Sequence, residues 1–291
     1  MADQAAVQAV TLKAGRRNCN FSFANLAGWQ FRYHTEVCVL PGVVVLRFTL
    51  DGERAYMLCL EGTPSCGLLQ ALLDDSDRSL TLFGLEDEAA LQLQRNACRE
   101  GMDVGIESRR DQYDYIYRRD VLAGLRGGRM QAKRNHVNRF LAEHPDFGYR
   151  PLEPSLFDEC HRVAHLWHDG KKHENPVYGD TIEVEKHAME TIFAHWDELG
   201  MLGGSIFVGG RMVAFTYGGA VTEDTFDVCV EKADLTVEGA FSIINQQFSA
   251  HLPENYIYVN REEDMGLPGL RQAKLSYHPE ILLTFNVVHI A

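Results

Sequence analysis

The run Tyr256-Ile-Tyr-Val-Asn-Arg-Glu-Glu-Asp-Met-Gly-Leu-Pro-Gly-Leu-Arg-Gln-Ala-Lys-Leu-Ser-Tyr-His-Pro279 decides how this chain is read. An apolar strand, Tyr256–Val259, leads straight into Asn260, Arg261, Glu262, Glu263 and Asp264. Gly266, Pro268 and Gly269 mark a turn, and a short helix carrying Arg271 and Lys274 follows. In α/β proteins ligands gather at the carboxyl ends of strands, where strand gives way to helix. An ordinary turn of this kind needs a cap and a glycine. It does not need five consecutive polar residues of both charge signs, so the run reads as a site candidate rather than a solvated loop.

Outward from this run the chain alternates strands and helices. Val43–Leu50 and Ala55–Leu60 flank Asp51-Gly52, a hairpin signal because a type I′ turn needs positive φ. Leu68–Leu73 reads as a helix, Ser79–Phe83 as a strand and Glu86–Glu100 as a helix with Ala89, Ala90, Leu93 and Ala97 at helical spacing. The second half repeats the theme. Ser205–Val208 and Arg211–Tyr217 flank Gly209-Gly210, followed by a strand at Thr225–Val230, a helix at Val237–Ala250 and a closing strand at Ile281–Val288. Between the halves lie a helix over Asn135–Glu143, a short strand at Tyr149–Leu152 and helices over about Ser155–Asp169 and Ile182–Leu199. The fold expected is α/β (α+β): two similar units, each a mixed twisted sheet flanked by helices, spanning residues 1–145 and 146–291. The polar stretch Asp169–Asp180 reads as a long loop, lid or binding loop.

Composition narrows the function. The 291 residues are about twice a typical domain, and 45% hydrophobic with 24% charged is the balance of a globular protein with a sizeable core. A net charge of −13 argues against general nucleic-acid binding, tRNA included, and against attachment to anionic membranes. The seven cysteines include no CxxC pair and several lie in apolar strands, which reads as a reducing, cytoplasmic setting. No signal peptide and no membrane-length apolar run is legible.

Three further constellations carry chemistry. Between Arg118 and Arg139 stand seven basic residues against Asp120 alone, with Lys133-Arg134-Asn135 opening a helix. Cations beside helix-start amides suit an anion such as phosphate; the competing reading is a solvated basic face. His161, His165 and His168 share a helix face, with His173 beyond. Without HExxH or an acidic ligand pair, a structural stripe is the better reading, and no metal is expected. Glu231 ends a strand beside Lys232, where a carboxylate of tuned pKa could act as general base or simply form an ion pair. No GxSxG elbow, Walker loop or GxGxxG is present, so covalent catalysis, ATP chemistry and NAD chemistry are disfavoured.

Gly128–Phe140, the corner Val230-Glu-Lys-Ala233, and Asn260–Gly266 with Gly269–Tyr277 together resemble the C-terminal catalytic domain of bacterial phosphatidylglycerol lysyltransferases. They are closest to the stand-alone soluble members of that group. The resemblance covers roughly residues 20–288. It implies a tandem pair of GNAT-like domains, related to the Fem-type aminoacyl-ligases, and transfer of an acyl or aminoacyl group to an amine or hydroxyl. It implies a site in the C-terminal half facing the domain interface, with aminoacyl-tRNA or acyl-CoA as donor and no other cofactor. The residues expected there are Glu231 as base, and Lys133, Arg134, Asn260, Arg261, Glu262, Glu263, Asp264, Arg271, Lys274 and Tyr277 as binding groups. Glu262, Glu263 and Asp264 would hold the ammonium of an aminoacyl donor, and the cations its phosphates or oxyanion. The chain lacks the group's multi-helix membrane domain and a clear pyrophosphate loop; Asp234–Gly239 is the nearest candidate. The alternative is a non-catalytic GNAT-like cleft for an anionic or zwitterionic metabolite, since fold alone does not specify chemistry.

Overall fold

The computed structural model describes residues 1–172 and 177–291. In chain order the elements are α1 (Gln4–Thr11), α2 (Phe23–Tyr33), β1 (Glu36–Leu40), β2 (Val43–Leu50), β3 (Glu53–Leu60), α3 (Cys66–Asp75), β4 (Leu80–Leu85), α4 (Asp87–Arg99) and β5 (Val104–Ser108). There follow β6 (Asp114–Arg118), α5 (Arg119–Gly124), α6 (Gln131–Glu143), β7 (Gly148–Pro151), α7 (Phe157–Lys172), α8 (Val177–Ala194) and α9 (Trp196–Leu199). The chain closes with β8 (Leu202–Val208), β9 (Arg211–Ala220), β10 (Thr225–Ala233), α10 (Ala240–His251), β11 (Tyr258–Asn260), α11 (Pro268–Leu275), β12 (Ile281–Leu283) and β13 (Asn286–Ile290).

The glycine hairpins form where the sequence places them. Asp51 and Gly52 sit at φ 52° and 85°, and Gly209 and Gly210 at 58° and 79°, the left-handed pair that a two-residue turn demands. The strands build two mixed sheets flanked by helices, the α/β architecture expected. The first has the order β1-β2-β3-β4-β13-β5 and the second β12-β6-β11-β10-β9-β8-β7.

The sheets exchange strands. β6 comes from the first half of the sequence yet pairs with β11 and β12 in the second sheet. β13, the last strand, inserts between β4 and β5 of the first. The change of sheet therefore falls before Asp114, well ahead of the 145/146 division expected from sequence. The expected closing strand over Ile281–Val288 is two strands in different sheets, β12 and β13, parted at Thr284-Phe285. Alternation along the chain shows where strands lie but not which partners take them.

One buried apolar cluster joins both sheets. It includes Val44 and Met57 of the first sheet, Phe215 and Tyr217 of the second, Val287 of β13, and Met189 and Trp196 from the helices. Each such fully buried side chain contributes roughly 1.5–3 kcal/mol, so the two halves share their stabilisation. The expected loop at 169–180 is helical at both ends, in α7 to Lys172 and α8 from Val177; residues 173–176, His173 among them, lie outside the described residues. Helices or strands not foreseen are α1, α2, β1, β5, β6 and α5.

Candidate functional site

The second sheet contains one parallel pair at its centre. Thr225, Phe226 and Asp227 of β10 register with Tyr258, Val259 and Asn260 of β11. β11 then stops, while β10 runs on to Ala233. The two strands part at this point, and the charged run leaves on one side of the gap as Glu231 stands on the other.

The bend after β11 is held by its own polar groups. Asn260, fully buried, accepts from the Glu262 amide at 2.7 Å and donates to the Arg17 carbonyl and the Asp114 carboxylate, both at 2.8 Å. Glu262 and Met265 take φ of 56° and 52°, a left-handed conformation that costs a non-glycine residue energy and marks a constrained site. Asp264 is 0% exposed and accepts from Arg271 Nε at 2.8 Å, Arg110 Nη1 at 3.0 Å, the Tyr115 hydroxyl at 2.6 Å and the Gly266 amide at 2.9 Å. Burial alone would raise its pKa; the Arg271 and Tyr115 hydrogen bonds prevail and hold it far below the usual carboxylate range. Lys274 donates to the Arg261 and Glu263 carbonyls, while its own carbonyl accepts from Tyr117 at 2.8 Å. Asn260, Asp264, Arg271 and Lys274 thus spend their polar atoms on shaping the corner.

What they shape is an ion pair. Arg261 Nη2 lies 2.8 Å from Glu231 Oε1, with side chains 14% and 11% exposed. The guanidinium sits 5.1 Å from the Tyr277 ring centre and 5.8 Å from that of Tyr117, and Lys133 Nζ lies 4.1 Å from the Tyr277 ring centre. Burial opposes the Arg261 charge, but Glu231 outweighs it; burial lowers the Lys133 pKa, with Arg261 adding to the effect. The Tyr277 hydroxyl reaches Ser242 at 3.5 Å. Asn245 of α10 donates to Glu231 Oε2 at 3.3 Å. Two buried atoms beside this carboxylate have no hydrogen-bond partner, Arg261 Nη1 and Asn245 Oδ1. Buried polar atoms are normally satisfied, so an orphaned donor and an orphaned acceptor flanking one carboxylate leave this corner with hydrogen-bonding capacity that its own side chains do not use.

Glu262 and Glu263 face elsewhere, into a buried acidic cluster. Asn25 of α2 donates to Asp227 Oδ2 and Glu262 Oε1, each at 3.0 Å. Asp114 accepts from the Cys19 amide at 2.8 Å and its thiol at 3.3 Å, and Glu263 Oε2 lies 4.0 Å from the same thiol. Burial, reinforced by Glu263, pushes Asp114 up to about 6 and Glu262 up to about 8, while burial and Glu262 drive Asp227 well above its ordinary value.

The basic segment divides. Lys133 joins the Tyr277 face, but Arg134 donates to the Leu125 and Gly127 carbonyls and braces its own turn. Arg118 pairs with Asp120, Arg119 with backbone carbonyls, and Arg139 with Glu143 and Glu238. The histidine stripe is used for packing and pairing: His161 on the Phe193 ring, His165 with Asp169 at 2.9 Å, and His168 with Glu185 at 3.8 Å. An open depression of about 480 Å³ borders Arg271, Gln272 and Leu275 on the outer side of α11; it contains no carboxylate and is not the Glu231 corner.

Sequence reasoning missed Asn25, Asp114, Asp227 and Asn245. Asp227 carried a signal, a lone acid in the apolar run Phe226–Val230. Asn25 and Asn245 carried none, since each sits on an amphipathic helix with nothing local to mark it.

Comparison with known proteins follows this geometry. Residues 13–287 match the family described as phosphatidylglycerol lysyltransferase, C-terminal. A conserved protein of unknown function from Bacteroides thetaiotaomicron VPI-5482 is 36% identical, with a TM-score of 0.92 over 100% of this chain and 97% of that one. The C-terminal domain (DUF2156) of a putative lysylphosphatidylglycerol synthetase from Agrobacterium fabrum shares the fold at 12% identity, with a TM-score of 0.63 over 99% of this chain and 92% of that one. No curated protein sequence matches the chain. Among the described residues, no helix is long and apolar enough to cross a membrane. Because the match spans nearly the whole sequence, the chain belongs to the phosphatidylglycerol lysyltransferase C-terminal family.

Proposed function

We propose that this protein transfers an activated acyl or aminoacyl group to an amine or hydroxyl at the Glu231–Arg261 corner. The observation that carries the reading is the pair of unpartnered buried atoms, Arg261 Nη1 and Asn245 Oδ1, on either side of the Glu231 carboxylate. Family membership and the acyltransferase-type fold support the reaction class.

In this reading the acceptor nitrogen or oxygen attacks the donor carbonyl carbon directly. Glu231 takes the proton that the nucleophile loses and returns it to the departing oxygen or sulfur. Asn245 Oδ1 accepts from the acceptor's remaining N–H or O–H and so aims its lone pair. Arg261 Nη1 meets the oxygen on which negative charge develops, in surroundings that exclude most water and strengthen the interaction. Lys133, over Tyr277, adds positive charge for a donor phosphate. Glu262 and Glu263, directed to Asn25 and Cys19, and Asp264, saturated by arginines, are not the groups that hold the reacting atoms.

The test is a thermal-shift comparison of coenzyme A thioesters with non-hydrolysable aminoacyl-adenosines, which mimic the aminoacylated end of tRNA. Bound ligand raises the melting temperature by mass action. One donor class should raise it in the wild type, with the shift largely lost in Arg261→Met. A folded protein that responds to neither class would contradict the reading.

A further inference from the structure

The acidic cluster beside the transfer corner is short of positive charge. Asp114, Asp227, Glu262 and Glu263 converge with the thiols of Cys19 and Cys229; of the ammonium groups near them among the described residues, Lys274 is committed to two backbone carbonyls and Lys232 is paired with Glu185 at 2.7 Å. Two trios have ligand atoms within 4.8 Å of one another: Cys19–Asp114–Glu263 and Asp227–Cys229–Glu262. They are not equivalent. In the first, both Asp114 oxygens are taken, by the Cys19 amide, the Cys19 thiol and Asn260. In the second, Asp227 is 0% exposed and its Oδ1 has no hydrogen-bond partner, while Cys229 and Glu262 keep partial solvent access. A fully buried carboxylate oxygen with nothing to accept from costs free energy until something satisfies it.

We propose that Asp227, Cys229 and Glu262 form a binding site for a divalent transition-metal ion of the zinc type. The donor set is two carboxylates and one thiolate. Sulfur selects borderline and soft ions over magnesium or calcium. Bonds of about 2.0–2.3 Å place tetrahedral ligand atoms roughly 3.5 Å apart, a small contraction of the spacing present. Coordination displaces the Cys229 thiol proton and any proton that burial keeps on Asp227 or Glu262, all of which leave to solvent, and offers Asp227 Oδ1 the partner it lacks. The Asn25 amide now bridging Asp227 and Glu262 would be displaced or would turn to a bound water. Cys229 lies two residues before Glu231 on β10, but neither residue of the Glu231–Arg261 ion pair is a ligand, so the site does not rest on the transfer reading.

The backbone sets the geometry. Register slips between Val228 and Val230, so Cys229 is the extra residue of a β-bulge, and its thiol turns back to Asp227 Oδ2 at 3.4 Å. Bulges re-aim side chains next to functional sites.

The experiment uses the full chain stripped with a chelator. Zn²⁺ is titrated in competition with a chromophoric chelator, and Co²⁺ is added separately to read thiolate-to-metal absorption in the near ultraviolet. One equivalent should bind in the wild type and in a variant with the exposed cysteines removed, Cys38→Ser, Cys66→Ser and Cys98→Ser. Asp227→Asn and Cys229→Ser should weaken binding at least tenfold, and Cys19→Ser should not. Melting curves without metal establish that each variant folds; if either ligand variant does not, the Co²⁺ band in the variant lacking exposed cysteines decides. No bound equivalent, no thiolate band, loss of binding with the exposed cysteines, or loss in Cys19→Ser would each overturn the assignment. So would a melting temperature that rises with a primary alkylammonium and not with Zn²⁺.

Discussion

At the residue scale, the charged run does two jobs that its sequence does not separate. Density of charge at a strand end marked Asn260–Asp264 as a site candidate; the structure shows a bend there, with Glu262 at positive φ. Which charges face a ligand and which hold the bend depends on partners far away: Arg17, Asn25, Arg110, Asp114 and Glu231. Asp264 is a structural anchor. Asp264→Asn should cost about 1.5–3 kcal/mol, the range for hydrogen bonds to charged groups, read as a lower midpoint in chemical denaturation. Glu262 titrates in the opposite sense. Its folded pKa is raised to about 8, so the native state keeps a proton that the unfolded chain loses near pH 4. The Glu262 contribution to stability is then greatest at low pH and is lost as pH rises through the window from about 4 to about 8, the opposite sense to Asp264. Glu262→Gln should remove that slope: in the presence of chelator it should melt a few degrees above the wild type at pH 8.5 and level with it at pH 4.5. Equal pH profiles would mean that the carboxylate is ionised in the fold.

At the element scale, the hairpins, helices α3, α4 and α11 and the strands β2, β3, β8, β9 and β10 were legible because their signals are local: turn glycines and period. β6 was not, and β12 was read as one strand with β13, because such short strands are defined by the strands they join. Beside the parting of β10 from β11, β9 and β10 pack closely. A Cβ on Gly218 would stand 1.7 Å from the Asp227 carbonyl oxygen, so no other residue fits between β9 and β10 there. Gly218→Ala should cost about 3 kcal/mol through forced overpacking, and it should disturb Asp227 and Cys229 more than Gly67→Ala, where the added carbon meets nothing. A thermal melt of the two variants side by side checks this.

At the scale of the whole molecule, the two halves were legible as repeats, but their interdependence was not. With β6 given to the second sheet and β13 returned to the first, neither 1–145 nor 146–291 holds a complete sheet. Expressed separately, each fragment should lack a cooperative thermal transition, and removal of residues 285–291 should abolish that of the full chain; a sharp independent melt of either fragment would contradict the shared core. The exchange also explains the site. β6 brings Asp114, Tyr115 and Tyr117 beneath the charged run, so the corner is built from both ends of the sequence. In the proposed function Glu231 is the proton acceptor in group transfer. The most direct test is single-turnover transfer from the bound donor identified by thermal shift, in wild type and Glu231→Gln. The account predicts unchanged donor affinity with a rate lower by roughly 10²–10⁴, the usual contribution of a general base; a rate within a few-fold of wild type would contradict it.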